Sequence, residues 1–222
     1  SSAEKLLLNF GAPSFGSLKD VTGACARAQN GAQLAPSELL ASANVLKLTE
    51  RLKKFLDEHL DENDALSEDR YSLVPNNYLA DKILSSFVGK RADGCLDGAS
   101  PALREIRRKQ AQARNKIKSS LDSLVRSQQT QKYLQENIVT QRNGRYVIPV
   151  KAEYRSEIAG LVHDTSSSGA TLFIEPMSVV NANNELSELD AKERAEIDRI
   201  LSALSSEVGD YAETISEDFR TA

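Results

Sequence analysis

The sequence predicts a mainly α protein with a small β part: a helical core plus a long antiparallel helical pair capped by a β-hairpin tip. Three observations predict it. Apolar residues recur at three- and four-residue steps over 36–60, 101–132 and 177–208. The period switches to β-rich runs at 138–150, around an Asn143-Gly144 pair. The two long helical stretches beside that switch carry opposite charge.

Residues 3–10 read as the tail of a helix and residues 11–16 as a turn-rich break. Residues 18–28 form a short helix that stops near Asn30-Gly31. Pro36 and Ser37 open a long helix, with Leu39, Leu46, Leu52 and Leu56 on its apolar face, running to about Leu60. Residues 61–76 are acidic and polar and read as a loop. Residues 78–88 give another short helix, and the glycine-rich stretch 89–99 a second loop.

Ser100-Pro101 is a strong helix start, a capping Ser followed by Pro at the first helical position. The helix runs for 25 residues or more, roughly 40 Å at 1.5 Å per residue. Residues 128–136 continue it or form a short extension. Asn143-Gly144 then predicts a tight hairpin between 138–142 and 145–150, because both turn positions need positive φ. Pro149 cannot donate a ladder bond, so its strand belongs at an edge or at a bulge. A second strand pair, 158–163 and 170–175, is linked by a Ser-rich loop. From Met177 the helical period returns and holds to the end, with Gly209 as a local weak point. The chain starts without Met and closes a helical stretch without a stop signal, which reads as an excised fragment.

Between Pro101 and Lys132, nine basic residues face only Glu105 and Asp122, a net +7. Between Glu185 and Phe219, eleven acids face Lys192, Arg194 and Arg199, a net −8. Paired antiparallel, the helices would meet along apolar stripes while flanking charges select the partner. The basic charge is then largely spent on the acidic helix.

Several function classes lack their residues. The overall charge of −4 argues against a basic nucleic-acid wrapper. Gly89-Lys90 lacks the remaining residues of a phosphate loop, and two histidines, His59 and His163, support no zinc motif. His163 beside Asp164 and a run of serines invites a hydrolase reading, but adjacency in sequence is not triad geometry. No catalytic, cofactor or metal residues are assigned. Cys25 and Cys95 stand in no metal-ligand spacing and fit a reducing, cytoplasmic setting, and no apolar run reaches membrane-spanning length. The candidate nucleic-acid-binding residues lie in the tip: Arg142, Arg145, Lys151 and Arg155, with Tyr146 and Tyr154 interleaved, and Ser166, Ser167 and Ser168 in the loop. None of the four cations has an obvious internal partner. Glu175-Pro176 reads as a plain strand end.

Two runs carry a family resemblance. Arg145-Tyr146-Val147-Ile148-Pro149-Val150-Lys151, followed by Val162-His163-Asp164-Thr165-Ser166-Ser167-Ser168-Gly169-Ala170-Thr171-Leu172-Phe173-Ile174-Glu175-Pro176, resembles the second bacterial MutS family. The stretch 11–16 and Leu34-Ala35-Pro36-Ser37-Glu38 are similar to it too. The resemblance implies core residues 1–100, lever helices 101–136 and 177–222, and a clamp at 137–176. It implies a parent with an ATPase domain using ATP and Mg, a C-terminal endonuclease domain and a homodimeric state. It implies partners as well: branched DNA in suppressing recombination, or the ribosome and its rRNA in rescuing collided ribosomes. The competing reading is a structural coupling arm with mainly protein–protein contacts.

Overall fold

The computed structural model describes residues 8–9, 11, 18–60, 66–87 and 97–221. Cys95, the turn-rich break at 12–16 and most of the glycine-rich loop lie outside them. The chain divides into two units: Ser1–Pro101 with Ile197–Ala222, and Ala102–Glu196. The sequence reading places all of 177–222 with the lever, whereas residues 197–222 cluster with the first unit. Among the described residues no helix is long and apolar enough to cross a membrane.

In the first unit, α1 (Thr22–Gln29) starts where Asp20 accepts from the Thr22 N–H at 2.8 Å and stops at Gly31, whose φ is +83°. Helix α2 (Pro36–His59) opens on Pro36, and Glu38 reaches back to accept the Ala35 N–H at 3.0 Å. The stretch read as one loop contains α3 (Ser67–Ser72). Its flanking Leu66 and Leu73 pack with Leu56 and Leu60, and that burial overrides a polar sequence. Helix α4 (Asn77–Phe87) buries Leu79 and Ile83. The last turns of the chain complete this unit, with Leu204, Val208 and Ile215 buried.

In the second unit, α5 (Pro101–Arg126) buries Leu103, Ala113, Ile117, Leu121 and Val125 on one face. It breaks at Ser127, whose ψ is 125°, and a four-residue helix α6 (Gln128–Gln131) follows. Residues 132–136 do not continue the helix. Leu134 bridges to Val150 instead, because the sheet supplies backbone partners there. The strands β1 (Thr140–Arg142), β2 (Arg145–Lys151), β3 (Gly160–Thr165) and β4 (Thr171–Pro176) form one antiparallel sheet in the order β1-β2-β4-β3. The two expected hairpins are thus joined by a β2–β4 ladder. The Pro149 carbonyl accepts from Gln135 N–H at 2.9 Å. In an antiparallel strand N–H and C=O of one residue point the same way. Proline's missing donor therefore faces the short 133–135 bridge rather than the β4 ladder.

Helix α7 (Val180–Asp210) leaves the sheet after a 3-10 turn at Met177–Val179, and α8 (Ala212–Thr221) closes the chain. Within the second unit α5 and α7 run antiparallel: Arg107 meets Glu193, while Arg114, further along α5, meets Asp190. One core joins them to the sheet, with Ile117, Leu121, Ile148, Val150, Ile174, Ala182 and Leu186 at its centre. The fold is the expected mainly α protein with a small antiparallel sheet.

Candidate nucleic-acid interface

Ile148, Val150 and Ile174 face the helices, so Phe173 and Glu175 fall on the opposite face of β4. That second face is covered by the β1–β2 turn. Asn143 (φ 50°) and Gly144 (φ 74°) take the positive φ values expected of a tight hairpin. The Asn143 amide donates to the His163 carbonyl at 2.9 Å. Arg142 stands 3.2 Å from Asp164, and its guanidinium carbon lies 3.9 Å from the centre of the Phe173 ring.

Glu175, fully buried, is the hub of this face. Its carboxylate accepts from Arg145 at 2.8 Å, contacts His163 Nε2 at 2.5 Å and accepts from Asn183 Nδ2 at 2.8 Å. Asn183 also accepts the Tyr146 N–H and donates to the Tyr146 carbonyl, and Arg145 donates to Asn184 at 2.6 Å. Both asparagines lie in the first turns of α7, so this network fastens the helix to the sheet. Arg145 Nε is buried and has no hydrogen-bond partner. His163 reaches Glu175 because it is the extra residue of a β-bulge: Val162 pairs with Ile174, and Asp164 pairs with Phe173.

The tip cations are therefore not without internal partners, contrary to the sequence expectation. Arg145 belongs to the buried network. Arg155 donates to the carbonyls of Ile158 and Gly160, at 3.1 and 2.9 Å, and shapes the turn into β3. Lys151 donates to the Lys132 carbonyl at 3.2 Å. In the loop, Ser166 Oγ accepts the Thr171 N–H at 3.0 Å, and Ser166 and Ser168 hydroxyls lie 3.4 Å apart. These two serines build the turn around Gly169 (φ 75°), while Ser167 is exposed.

Arg145 and Lys151 share a sheet face but lie six residues apart on β2, about 20 Å. Lys151 belongs to a different group, at the loop end of the sheet where it pairs with Thr171. Its Nζ lies 5.9 Å from the Tyr154 ring centre. The Tyr154 and Tyr133 rings are tilted, 5.2 Å centre to centre, and Lys132 Nζ lies 4.8 Å from Tyr133. Two lysines and two tyrosines thus converge beside the serine loop. Lys132 and Tyr133 were not among the sequence candidates, because the run to 136 reads as helix. Lys132 and Tyr133 also line a cleft of about 540 Å³ with Glu157 and Met177.

The seam between α5 and α7 holds a second polar group. Arg107, almost fully buried, is 2.6 Å from Glu193. Gln110 donates to both Asp190 and Glu193, at 2.8 and 2.7 Å. Burial opposes ionisation of Glu193, but the hydrogen bonds from Arg107 and Gln110 and the Arg107 and Arg114 charges hold its carboxyl below the ordinary range. The rest of the +7 charge is not spent on α7 to the extent the sequence implies. Arg108 and Lys109 pair with Glu105 of their own helix. Among the described residues no group of His, Cys, Asp or Glu is placed to hold a metal ion.

No family model matches the chain. Among curated proteins it is similar to Endonuclease MutS2 of Acetivibrio thermocellus, 44% identical over 211 residues, 94% of this chain and 26% of that protein. Endonuclease MutS2 of Ruminiclostridium cellulolyticum is 46% identical over 203 residues, 90% of this chain and 25% of that protein. That of Clostridium botulinum strain Alaska E43 is 42% identical over 222 residues, 99% of this chain and 28% of that protein. The chain spans about a quarter of the length of the relatives it matches. Matched along nearly its whole length, the chain belongs to the second bacterial MutS family, as a fragment covering about a quarter of the parent.

Proposed function

We propose that this stretch is a non-catalytic arm that engages nucleic acid, as branched DNA or as the rRNA of a ribosome, for a cytoplasmic MutS-type parent. In this reading ATP and Mg binding, dimer formation and strand cleavage belong to the rest of the parent. One observation carries it. Lys132, Lys151, Tyr133 and Tyr154 converge beside an exposed serine loop at the loop end of the sheet. Lysines neutralise phosphates, and tyrosine faces accept unstacked bases, which occur at branch points and in rRNA loops. The buried apolar seam and the Glu175 network hold that surface rigidly on the helix pair.

The test is binding of the chain to a four-way DNA junction and to ribosomes, each over a range of salt. Lys132→Ala with Lys151→Ala is expected to weaken binding and to reduce the salt slope by about 2. Tyr154→Ala is expected to lower affinity without changing that slope. Unchanged binding in both variants overturns this reading in favour of a coupling arm with protein–protein contacts. The internal partners of Arg142, Arg145 and Arg155 favour that alternative at those three positions.

A further inference from the structure

The solvent face of α5 carries charge that the helix pair does not use. Arg104, Lys116, Lys118 and Arg126 are exposed and make no ion pair among the described residues. Arg108 is exposed as well, paired only within its own helix to Glu105. At 100° per residue these five cations fall within about 160° of the helix circumference, opposite Leu103, Ala113, Ile117 and Leu121. Only Glu105 and Asp122 interrupt them. From Arg104 to Arg126 the row is about 33 Å long at 1.5 Å per residue.

We infer that this row is a binding track for the phosphate backbone of double-helical DNA. It is a second surface, separate from the lysine–tyrosine group of the tip. Three features select that occupant. A protein partner needs an apolar centre to bury, and this face offers only Pro101 and Ala111 among Gln112, Asn115, Ser119 and Ser123. A single strand is gripped by aromatic stacking, and α5 contains no aromatic residue. The length of the row matches one turn of B-form duplex, roughly 34–36 Å, and the interleaved amides and hydroxyls supply neutral donors to phosphate oxygens. The contact reads no sequence, so it positions a duplex rather than selecting one.

The experiment measures binding of the chain to a 30-base-pair DNA duplex, to RNA duplex of the same length and to single-stranded DNA, from about 50 to 200 mM salt. If all five cations engage, affinity falls with a log–log slope of about −4.5, some 500-fold across that range. A variant with Arg104, Arg108, Lys116, Lys118 and Arg126 all changed to Gln is expected to lose most duplex binding at low salt and to flatten the slope. Lys116→Gln with Lys118→Gln, a milder pair, is expected to change the slope by about 1.8. The tip variant Lys132→Ala with Lys151→Ala is expected to keep the α5-dependent part, so the two surfaces fail separately. Equal duplex binding by the Gln variants and the unchanged chain overturns the track, as does tighter binding of RNA duplex or single strand than of DNA duplex.

Discussion

Gly209 of α7 lies against the backbone of Ala28, so closely that a Cβ at 209 would stand 2.7 Å from the Ala28 carbonyl oxygen. Helix propensity alone makes Gly209→Ala stabilising by about 1 kcal/mol. The contact reverses the sign, because the atom in the way is backbone and cannot rotate aside. Gly209→Ala is expected to lower unfolding free energy by about 1–3 kcal/mol, read from urea unfolding midpoints. An exposed helix position such as Ala191 changed to Gly gives the ordinary propensity loss for comparison.

A similar approach governs the start of β3. A Cβ on Gly160 would lie 2.2 Å from the Glu175 carbonyl oxygen and 2.8 Å from the Ile174 side chain. Gly160→Ala is expected to loosen the β3–β4 ladder. Hydrogen exchange of the ladder amides should accelerate there more than in the α2 helix.

The Arg145–Glu175 pair predicts an effect that is easily mistaken for lost binding. Removing one member of a buried ion pair leaves the other uncompensated and costs about 3–5 kcal/mol. Glu175→Ala and Arg145→Ala are each expected to destabilise the tip on that scale. The double change should cost less than the sum, and a double-mutant cycle in urea measures the difference. Weakened nucleic-acid binding by Arg145→Ala alone therefore reports on folding first.

Asp218 gives a pH signature in the first unit. One of its oxygens accepts the Val74 N–H at 3.0 Å, and the other is buried without a hydrogen-bond partner. Burial pushes its carboxyl above the ordinary value of 3.8. A raised carboxyl favours the protonated folded form. Its contribution is fully present below 3.8 and is lost as pH rises through the folded value. Asp218→Asn keeps an acceptor for Val74 and removes the buried charge. It is expected to be at least as stable as the unchanged chain at pH 7, with the advantage shrinking toward pH 4.

Glu193 has the opposite sign. Its carboxyl is held below the ordinary 4.5, so its contribution is present above that value and is lost as pH falls through the depressed one. Glu193→Gln is expected to cost about 1–3 kcal/mol at pH 7 and to converge on the unchanged chain in acid, measured by urea unfolding at each pH.

Most helix limits were legible because their signals are local. Pro36 and Pro101 each begin the helix they announce, and Asn143-Gly144 turns the hairpin it predicts. The tip chemistry was less legible, for two reasons. A bulge at His163 changes which strand residues face Glu175, and no spacing rule registers one added residue. The helix break at Ser127 has no Gly or Pro to mark it; Leu134 pairing with Val150 draws the chain away. That pairing is what brings Lys132 and Tyr133 to the sheet. The charge balance of the two helices implies a matched pair, but helix geometry turns only part of α5 toward α7.

The first unit is made of two separated pieces of chain, 1–101 and 197–222, with the second unit inserted between them. On a ribosome the inserted unit is therefore fully synthesised while its host still lacks a wall of its core. Leu204, Val208 and Ile215 are made only after the whole inserted unit. Until α8 emerges, α1 and α2, which pack against it, stay partly uncovered. The order of completion is inside out, and the window for misfolding falls on the piece of the first unit that precedes the insert.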